Sequence, residues 1–120
     1  MVVDATGVGL PVLDLLKNCG ISPVAVSITG GASVSQAGKS FHIPKRKLIR
    51  TVVTLLESGR FRWPANLPHK ADLIEELLNF GVRINKRTGN ASYAARGTAV
   101  HDDIVLSVAM ACWYAEHACC

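Results

Sequence analysis

Two groups of acids near opposite ends of the chain carry the side chains best suited to chemistry. One is Asp4, in the run Val2-Val3-Asp4-Ala5-Thr6-Gly7-Val8-Gly9. The other is His101-Asp102-Asp103, just ahead of a long apolar segment. Carboxylates from separate elements that converge can hold Mg2+ or Mn2+, which prefer oxygen ligands. In a two-metal site the ions sit about 3.5–4 Å apart, activate water and stabilise the leaving oxygen of a phosphodiester. Such sites usually draw on three or more acidic ligands, and this chain offers two strong positions. Each acid also has a plainer role. Asp4 can cap the turn or helix that follows it, and acids at 102 and 103 are stabilised by a helix N-terminus. Two consecutive acids exceed what one cap requires. Neighbouring helix residues point in different directions, so one can cap while the other faces a site.

The remaining charge is mostly basic. Thirteen Lys and Arg stand against nine Asp and Glu, a net charge of +4 with neutral His. Lys39, His42, Lys45, Arg46, Lys47 and Arg50 fall in one stretch, followed by Arg60 and Arg62 and then by Arg83, Lys86 and Arg87. The 39–50 stretch can track a phosphate backbone; equally, it can be a solvated helix face with its loop. The seven aromatics do not interleave it, so any binding there should be independent of base sequence. His69 and His117 read as ordinary surface residues. Two glycine-rich runs fail as phosphate loops. Gly38-Lys39-Ser40 has Ser33 where the earlier glycine is required, and Gly7-Val8-Gly9 has Val12 at the third glycine position.

The elements that must position these groups follow from periodicity. Val2 and Val3 are β-branched and end a strand at Asp4, where functional groups of open α/β sheets gather. The small residues Ala5-Thr6-Gly7 would let a ligand approach. Pro11 suits a first helical turn, the leucines to Leu16 give an apolar stripe, and Gly20 suits a helix end. Pro23 to Ile28 is a second strand, which makes a parallel βαβ unit. Residues 32–43 read as a loop or loose hairpin. Pro44 opens a helix of about four turns, with Ile49, Val52, Val53 and Leu56 on the buried face. Phe61 to Trp63 reads as a short strand. A helix from Pro68 turns Leu73, Ile74, Leu77 and Leu78 inward, and Asp72, Glu75 and Glu76 to water. Val82 to Lys86 and Ala91 to Ala95 flank Thr88-Gly89-Asn90 as a hairpin. The last helix spans about Asp102 to Ala118, apolar on most sides and therefore buried between layers.

The bulk properties fit one domain. The chain has 120 residues, and 49% of them are hydrophobic, enough for a true core. No apolar run reaches the ~18 residues that a bilayer span needs, and the start lacks the pattern of a signal peptide. A cytoplasmic setting is expected. Cys19, Cys112, Cys119 and Cys120 match no zinc spacing and read as free thiols, with Cys19 and Cys112 as buried small hydrophobes.

A family resemblance adds to these readings. The residues that carry it are Val2-Val3-Asp4-Ala5-Thr6-Gly7-Val8-Gly9, Pro44-Lys45-Arg46-Lys47-Leu48-Ile49, Leu55-Leu56-Glu57-Ser58-Gly59-Arg60, Leu77-Leu78-Asn79-Phe80 and Ala99-Val100-His101-Asp102-Asp103-Ile104-Val105. In this order and spacing the chain resembles the C-terminal nuclease domain of the large terminase subunit of tailed DNA bacteriophages, prophage copies included. The resemblance covers essentially all 120 residues. It implies an α/β, ribonuclease-H-like fold with a metal-binding acidic cluster. It also implies an endonuclease that cuts concatemeric double-stranded DNA during genome packaging in the bacterial host, alongside portal and small terminase proteins. By resemblance, Asp4 is the second acid of the cluster, on the central parallel strand. Asp103 is the last acid, with Asp102 as its alternate. Mg2+ or Mn2+ would bind at Asp4 and Asp103. DNA would lie along Lys39, His42, Lys45, Arg46, Lys47, Arg50 and Arg60.

The departures from that family carry expectations of their own. The acid-bearing first strand, its β-meander and the packaging ATPase domain do not appear in these residues. Leu106 stands where many relatives have an acid. Residues 1–120 are therefore expected to form one partial nuclease domain, weak or inactive by itself. The strand at its start would lack its usual neighbour, and an unpaired edge favours association. A homodimer or swapped assembly through that edge is expected, or else a monomer whose edge is covered by a loop. Two rival readings remain: a non-catalytic DNA-binding or assembly module of the same fold, and a small α/β protein that binds a phosphorylated metabolite.

Overall fold

A computed structural model describes residues 1–7, 9–84, 91–95 and 102–117, with the backbone alone for 79–84 and 91–95. The chain is a small α/β domain. A mixed sheet of four strands takes the order β1 (Val2–Asp4), β2 (Val24–Thr29), β4 (Ser40–Pro44), β3 (Ser35–Ala37), and a separate pair, β5 (Phe80–Ile84) and β6 (Ala91–Ala95), follows. The described helices are α1 (Gly9–Asn18), α2 (Lys45–Glu57), α3 (Lys70–Asn79) and α4 (Asp103–His117).

The expected βαβ unit is present. β1 (Val2–Asp4) and β2 (Val24–Thr29) run parallel, with Val2 opposite Val24 and Asp4 opposite Val26, and α1 connects them. The strands of the expected late hairpin pair antiparallel, from Phe80–Ala95 to Ile84–Ala91, but β5 (Phe80–Ile84) starts two residues earlier than expected beside β6 (Ala91–Ala95), and Lys86 and the Thr88-Gly89-Asn90 turn lie outside the described residues.

The region 32–43, expected as a loop or loose hairpin, is a hairpin, and its second strand enters the core. β3 (Ser35–Ala37) and β4 (Ser40–Pro44) form an antiparallel hairpin, and β4 inserts parallel beside β2. Its two-residue connection, Gly38-Lys39, places Gly38 at φ +61°. That is the left-handed first position of a tight hairpin turn, which glycine adopts without steric cost. Phe41 and Ile43 alternate inward from β4 and are buried, while Ser40 and His42 are exposed.

Two helices, α2 and α4, close the core against the sheet. Val24 and Val26 of β2 and Phe41 and Ile43 of β4 meet Leu48 and Val52 of α2 and Ala109, Met110 and Trp113 of α4. Phe41 meets the Trp113 ring edge-on at 5.4 Å, a favourable aromatic geometry. A second cluster joins Ile49 of α2, Leu73 of α3 and Val105 of α4. Helix α4 is therefore covered by the sheet, α2 and α3, which accounts for its nearly continuous apolar surface.

Several local expectations are corrected. The buried face of α2 is Leu48, Ile49, Val52 and Leu55, while Val53 is 43% exposed. Residues 61–63 form no strand; Phe61 and Trp63 pack edge-on at 5.6 Å in an extended connection. In α3, Leu78 is exposed and Glu76 is buried. Cys19 is exposed beyond the end of α1 rather than buried, and Cys112 is half-buried; both are free thiols. None of the described helices is long and apolar enough to cross a membrane.

Candidate functional site

The acids at the two ends of the sequence meet beside β1. Strand β1 lies at the edge of the sheet, and α4 packs along it. Between them is an open depression of about 500 Å³. One wall is Met1, Val2, Val3 and Asp4; the other is Asp103, Leu106, Ser107 and Met110. The second set recurs at i, i+3, i+4 and i+7, which is one face of a helix. Both Asp4 and Asp103 are exposed.

The carboxyl end of β1 holds Asp4 in a defined turn. Asp4 Oδ1 accepts a hydrogen bond from the Thr6 amide at 2.9 Å. Thr6 Oγ1 in turn accepts from the Ile28 amide at 2.8 Å, and Ala5 donates its amide to the Val26 carbonyl at 2.8 Å. The turn is thus tied to β2 on both sides. Gly7 follows at φ +73°, with open space where a side chain would stand, so the backbone leaves the strand without obstructing Asp4. This arrangement leaves Asp4 Oδ2 available to a ligand.

The head of α4 separates the two aspartates. Asp102 precedes the helix, and its carbonyl accepts the first helical bond from the Leu106 amide at 2.9 Å. Its carboxylate pairs with Lys45 Nζ at 3.0 Å, both side chains being about three-quarters buried (30% and 25% exposed). Asp103, one position on, turns to the depression instead. The two acids diverge as expected, but the Asp102 carboxylate is held by Lys45 rather than by the helix amides. Of the two, Asp103 lies on the same depression as Asp4. His101 lies outside the described residues.

A third carboxylate, which sequence reasoning missed, anchors this helix. Glu76 of α3 is 9% exposed, and its Oε2 accepts from the Val105 amide at 2.9 Å. Val105 occupies the third helical position, where backbone N–H groups have no partner within the helix. A negative charge there is also favoured by the helix dipole. The signal was the mismatch between a charged residue and its position beside Leu73 and Leu77 on the packed side of α3. Among the described residues, no group of three or more His, Cys, Asp or Glu converges in a way that would hold a metal.

The basic stretch does not form one surface. Lys39 sits in the hairpin turn at the amino end of β4, where its Nζ bonds the Ser22 hydroxyl. His42 is exposed on the sheet face opposite Phe41 and Ile43. Lys45 stands beside the head of α4 through Asp102, and Arg46 is half-buried next to it. Lys47, Arg50 and Arg60 line a different cavity, between α2 and the C-terminal half of α4. Lys45 and Arg46 follow the carboxyl end of β4, the end of the parallel strands at which Asp4 stands. Lys39 is a strand's length away.

Comparison with known proteins adds no assignment: no protein-family model, curated protein or solved structure matches the chain.

Proposed function

We propose that this chain is part of a ribonuclease-H-like DNA endonuclease of the terminase type. It would act on double-stranded DNA with Mg2+ or Mn2+ in the intact protein and be weak or inactive as the 120 residues alone. The observation that carries this reading is the convergence of Asp4 and Asp103 on one depression from elements 99 positions apart in sequence. Asp4 stands at the carboxyl end of a parallel strand, where α/β sheets place their chemistry.

The residues fit a hard divalent cation in part. Asp4 offers Oδ2 and Asp103 a carboxylate, both open to solvent. Mg2+ typically keeps several waters and takes only one or two protein carboxylates. When bound, such an ion lowers the pKa of a coordinated water and offsets charge on a phosphodiester. The protein's own share is positional. The Thr6 amide fixes the Asp4 carboxylate, and the Glu76 contact fixes the helix that carries Asp103. The Lys45–Asp102 pair places a cation beside the site without neutralising Asp103.

Mn2+ supplies the test. Titrated into the 120-residue chain, it is expected to broaden NMR signals around Asp4 and Asp103 first. Asp4→Asn combined with Asp103→Asn should abolish that broadening, while Asp102→Asn should spare it. In the intact parent, Asp4→Ala or Asp103→Ala should stop cutting and leave folding unchanged. Retained cutting would remove both acids from the mechanism. Metal-indifferent DNA binding without cutting by the parent would instead favour a non-catalytic module.

A further inference from the structure

The cavity at the other end of α4 has the chemistry of a different ligand. It measures about 330 Å³ and lies between one face of α2 and the end of α4. From α2 come Lys47, Arg50, Thr51 and Thr54, spaced i, i+3, i+4 and i+7, so that they form a single polar stripe. Leu55 and Trp113, both buried, form its apolar floor. Fourteen positions of helix separate Asp103 from His117, which at 1.5 Å per residue is about 21 Å. This cavity and the acidic depression are therefore distinct sites.

Three features show a built cavity rather than a solvated helix face. First, the Arg60 guanidinium is fixed by two bonds to Glu116, at 2.6 and 3.3 Å. Second, the His117 ring stacks on Trp113 at 4.9 Å with an interplanar angle of 11°. His117 Nδ1–H donates to the Trp113 carbonyl at 3.1 Å, which leaves Nε2 and the outer ring face for a ligand. Third, Lys47 and Arg50 have no anionic partner among the described residues, because the only carboxylate lining the cavity is held by Arg60.

We infer that this cavity binds the phosphomonoester of a nucleotide, either free or at the end of a nucleic-acid strand. Two cations without an anionic partner among the described residues match a phosphomonoester, which carries nearly two negative charges at neutral pH, better than the single charge of an internal phosphodiester or a carboxylate. Arg50 supplies a planar fork and Lys47 a point charge, the two complementary ways of holding phosphate oxygens. The Thr54 hydroxyl adds a donor. The exposed His117 ring, backed by Trp113, gives a planar platform against which a base can stack. No metal enters this recognition, so it stands independently of the carboxylate pair.

Calorimetry or NMR titration of the 120-residue chain in chelator-containing buffer tests it. The probes are deoxyadenosine monophosphate, deoxyadenosine, inorganic phosphate, and one oligonucleotide with either a 5′-phosphate or a 5′-hydroxyl. The monophosphate should bind about tenfold or more tightly than deoxyadenosine, the size expected for losing charge-assisted hydrogen bonds. The phosphorylated oligonucleotide should outbind its hydroxyl counterpart. If it also outbinds the monophosphate, the ligand is a strand end; if not, it is a free nucleotide. Lys47→Gln combined with Arg50→Gln should weaken binding by a similar factor. Lys17→Gln combined with Lys70→Gln, the same loss of charge outside the cavity, should leave binding unchanged. Equal binding of deoxyadenosine and its monophosphate would overturn the inference. So would inorganic phosphate binding as tightly as the monophosphate, or equal losses in the two double variants.

Discussion

Replacing Glu76 tests the link between packing and the acidic depression most directly. Its side chain is 9% exposed and bonds the Val105 amide at 2.9 Å. Glu76→Ala would leave that amide buried without a partner, and loss of a hydrogen bond to a charged group costs about 1.5–3 kcal/mol. A domain of this size loses roughly 3–6 °C in melting temperature for each kcal/mol. The expected drop is therefore about 5–18 °C, measured by circular dichroism or calorimetry at neutral pH. Glu76→Gln keeps an acceptor of the same length but loses the charge that faces the helix dipole. It should recover about half of the loss, since a charge at a helix N-terminus contributes about 0.3–2 kcal/mol. Mn2+ broadening around Asp103 should weaken in the Ala variant even where the chain remains folded, because α4 loses the contact that fixes its first turn. A Glu76→Ala melting temperature within a degree of the parent would refute the capping role, as would a Gln variant no better than Ala.

Further outcomes follow from the same structure. Leu48→Ala, at a fully buried position facing the sheet, should cost about 2–5 kcal/mol, whereas Val53→Ala on the exposed side of the same helix should stay within about 0.5 kcal/mol by denaturant titration. Lys45→Met deprives the three-quarters-buried Asp102 carboxylate of this cation and should cost about 1.5–3 kcal/mol, visible as a lower urea midpoint. Burial, reinforced by the nearby Glu116 carboxylate, raises the Cys112 thiol above its ordinary range. Iodoacetamide labelling read by peptide mass spectrometry should therefore mark exposed Cys19 well before Cys112. Because the native thiol resists ionisation, its contribution to stability is intact below the ordinary thiol range and is lost as pH rises through it toward the raised native value. The outer edge of β1 has no neighbouring strand among the described residues. We propose that a second copy pairs there, so sedimentation velocity should show concentration-dependent association that Val2→Lys suppresses; a monomer at all concentrations would count against it.

How far the sequence revealed this fold depends on how local each signal was. The βαβ unit was legible because β-branched Val2 and Val3, a leucine-bearing helix and Gly20 lie in one short window. β4 was legible only as part of a loose hairpin and not as a core strand, although Ser40-Phe41-His42-Ile43 alternates polar and apolar in the period of a strand. Four residues are too few to outweigh the glycine and serine around them, and the partner that makes β4 a core strand, β2, comes from eleven or more positions upstream. The face of α2 was misplaced for a related reason. Apolar residues at 48, 49, 52, 53, 55 and 56 spread over an arc of about 160° of the helix, so periodicity fixes the helix but not which part of that arc is most buried. Packing buries Leu48 and Leu55, leaves Leu56 half-buried against the sheet–α4 core, and leaves Val53 exposed.

The site follows the same physics, with one further step. The sequence indicated that two adjacent acids at the head of α4 would divide their roles, because successive helix positions diverge by about 100° around the axis. It could not indicate which acid did which, because that depends on where Lys45 stands. Lys45 begins α2 at the carboxyl end of β4, and the parallel pairing of β4 with β2 was not visible. Once β4 pairs with β2, Lys45 is carried to the head of α4, where it pairs with Asp102 at 3.0 Å. Asp103 is left to share a depression with Asp4. Lys47 and Arg50, only two and five positions further on, are rotated along the helix to face the far end of α4. A basic run that looks continuous in one dimension is thereby divided between two sites about 20 Å apart, as the helix rise requires. Any function that needs one continuous cationic track along residues 39–50 is correspondingly hard to build on this fold.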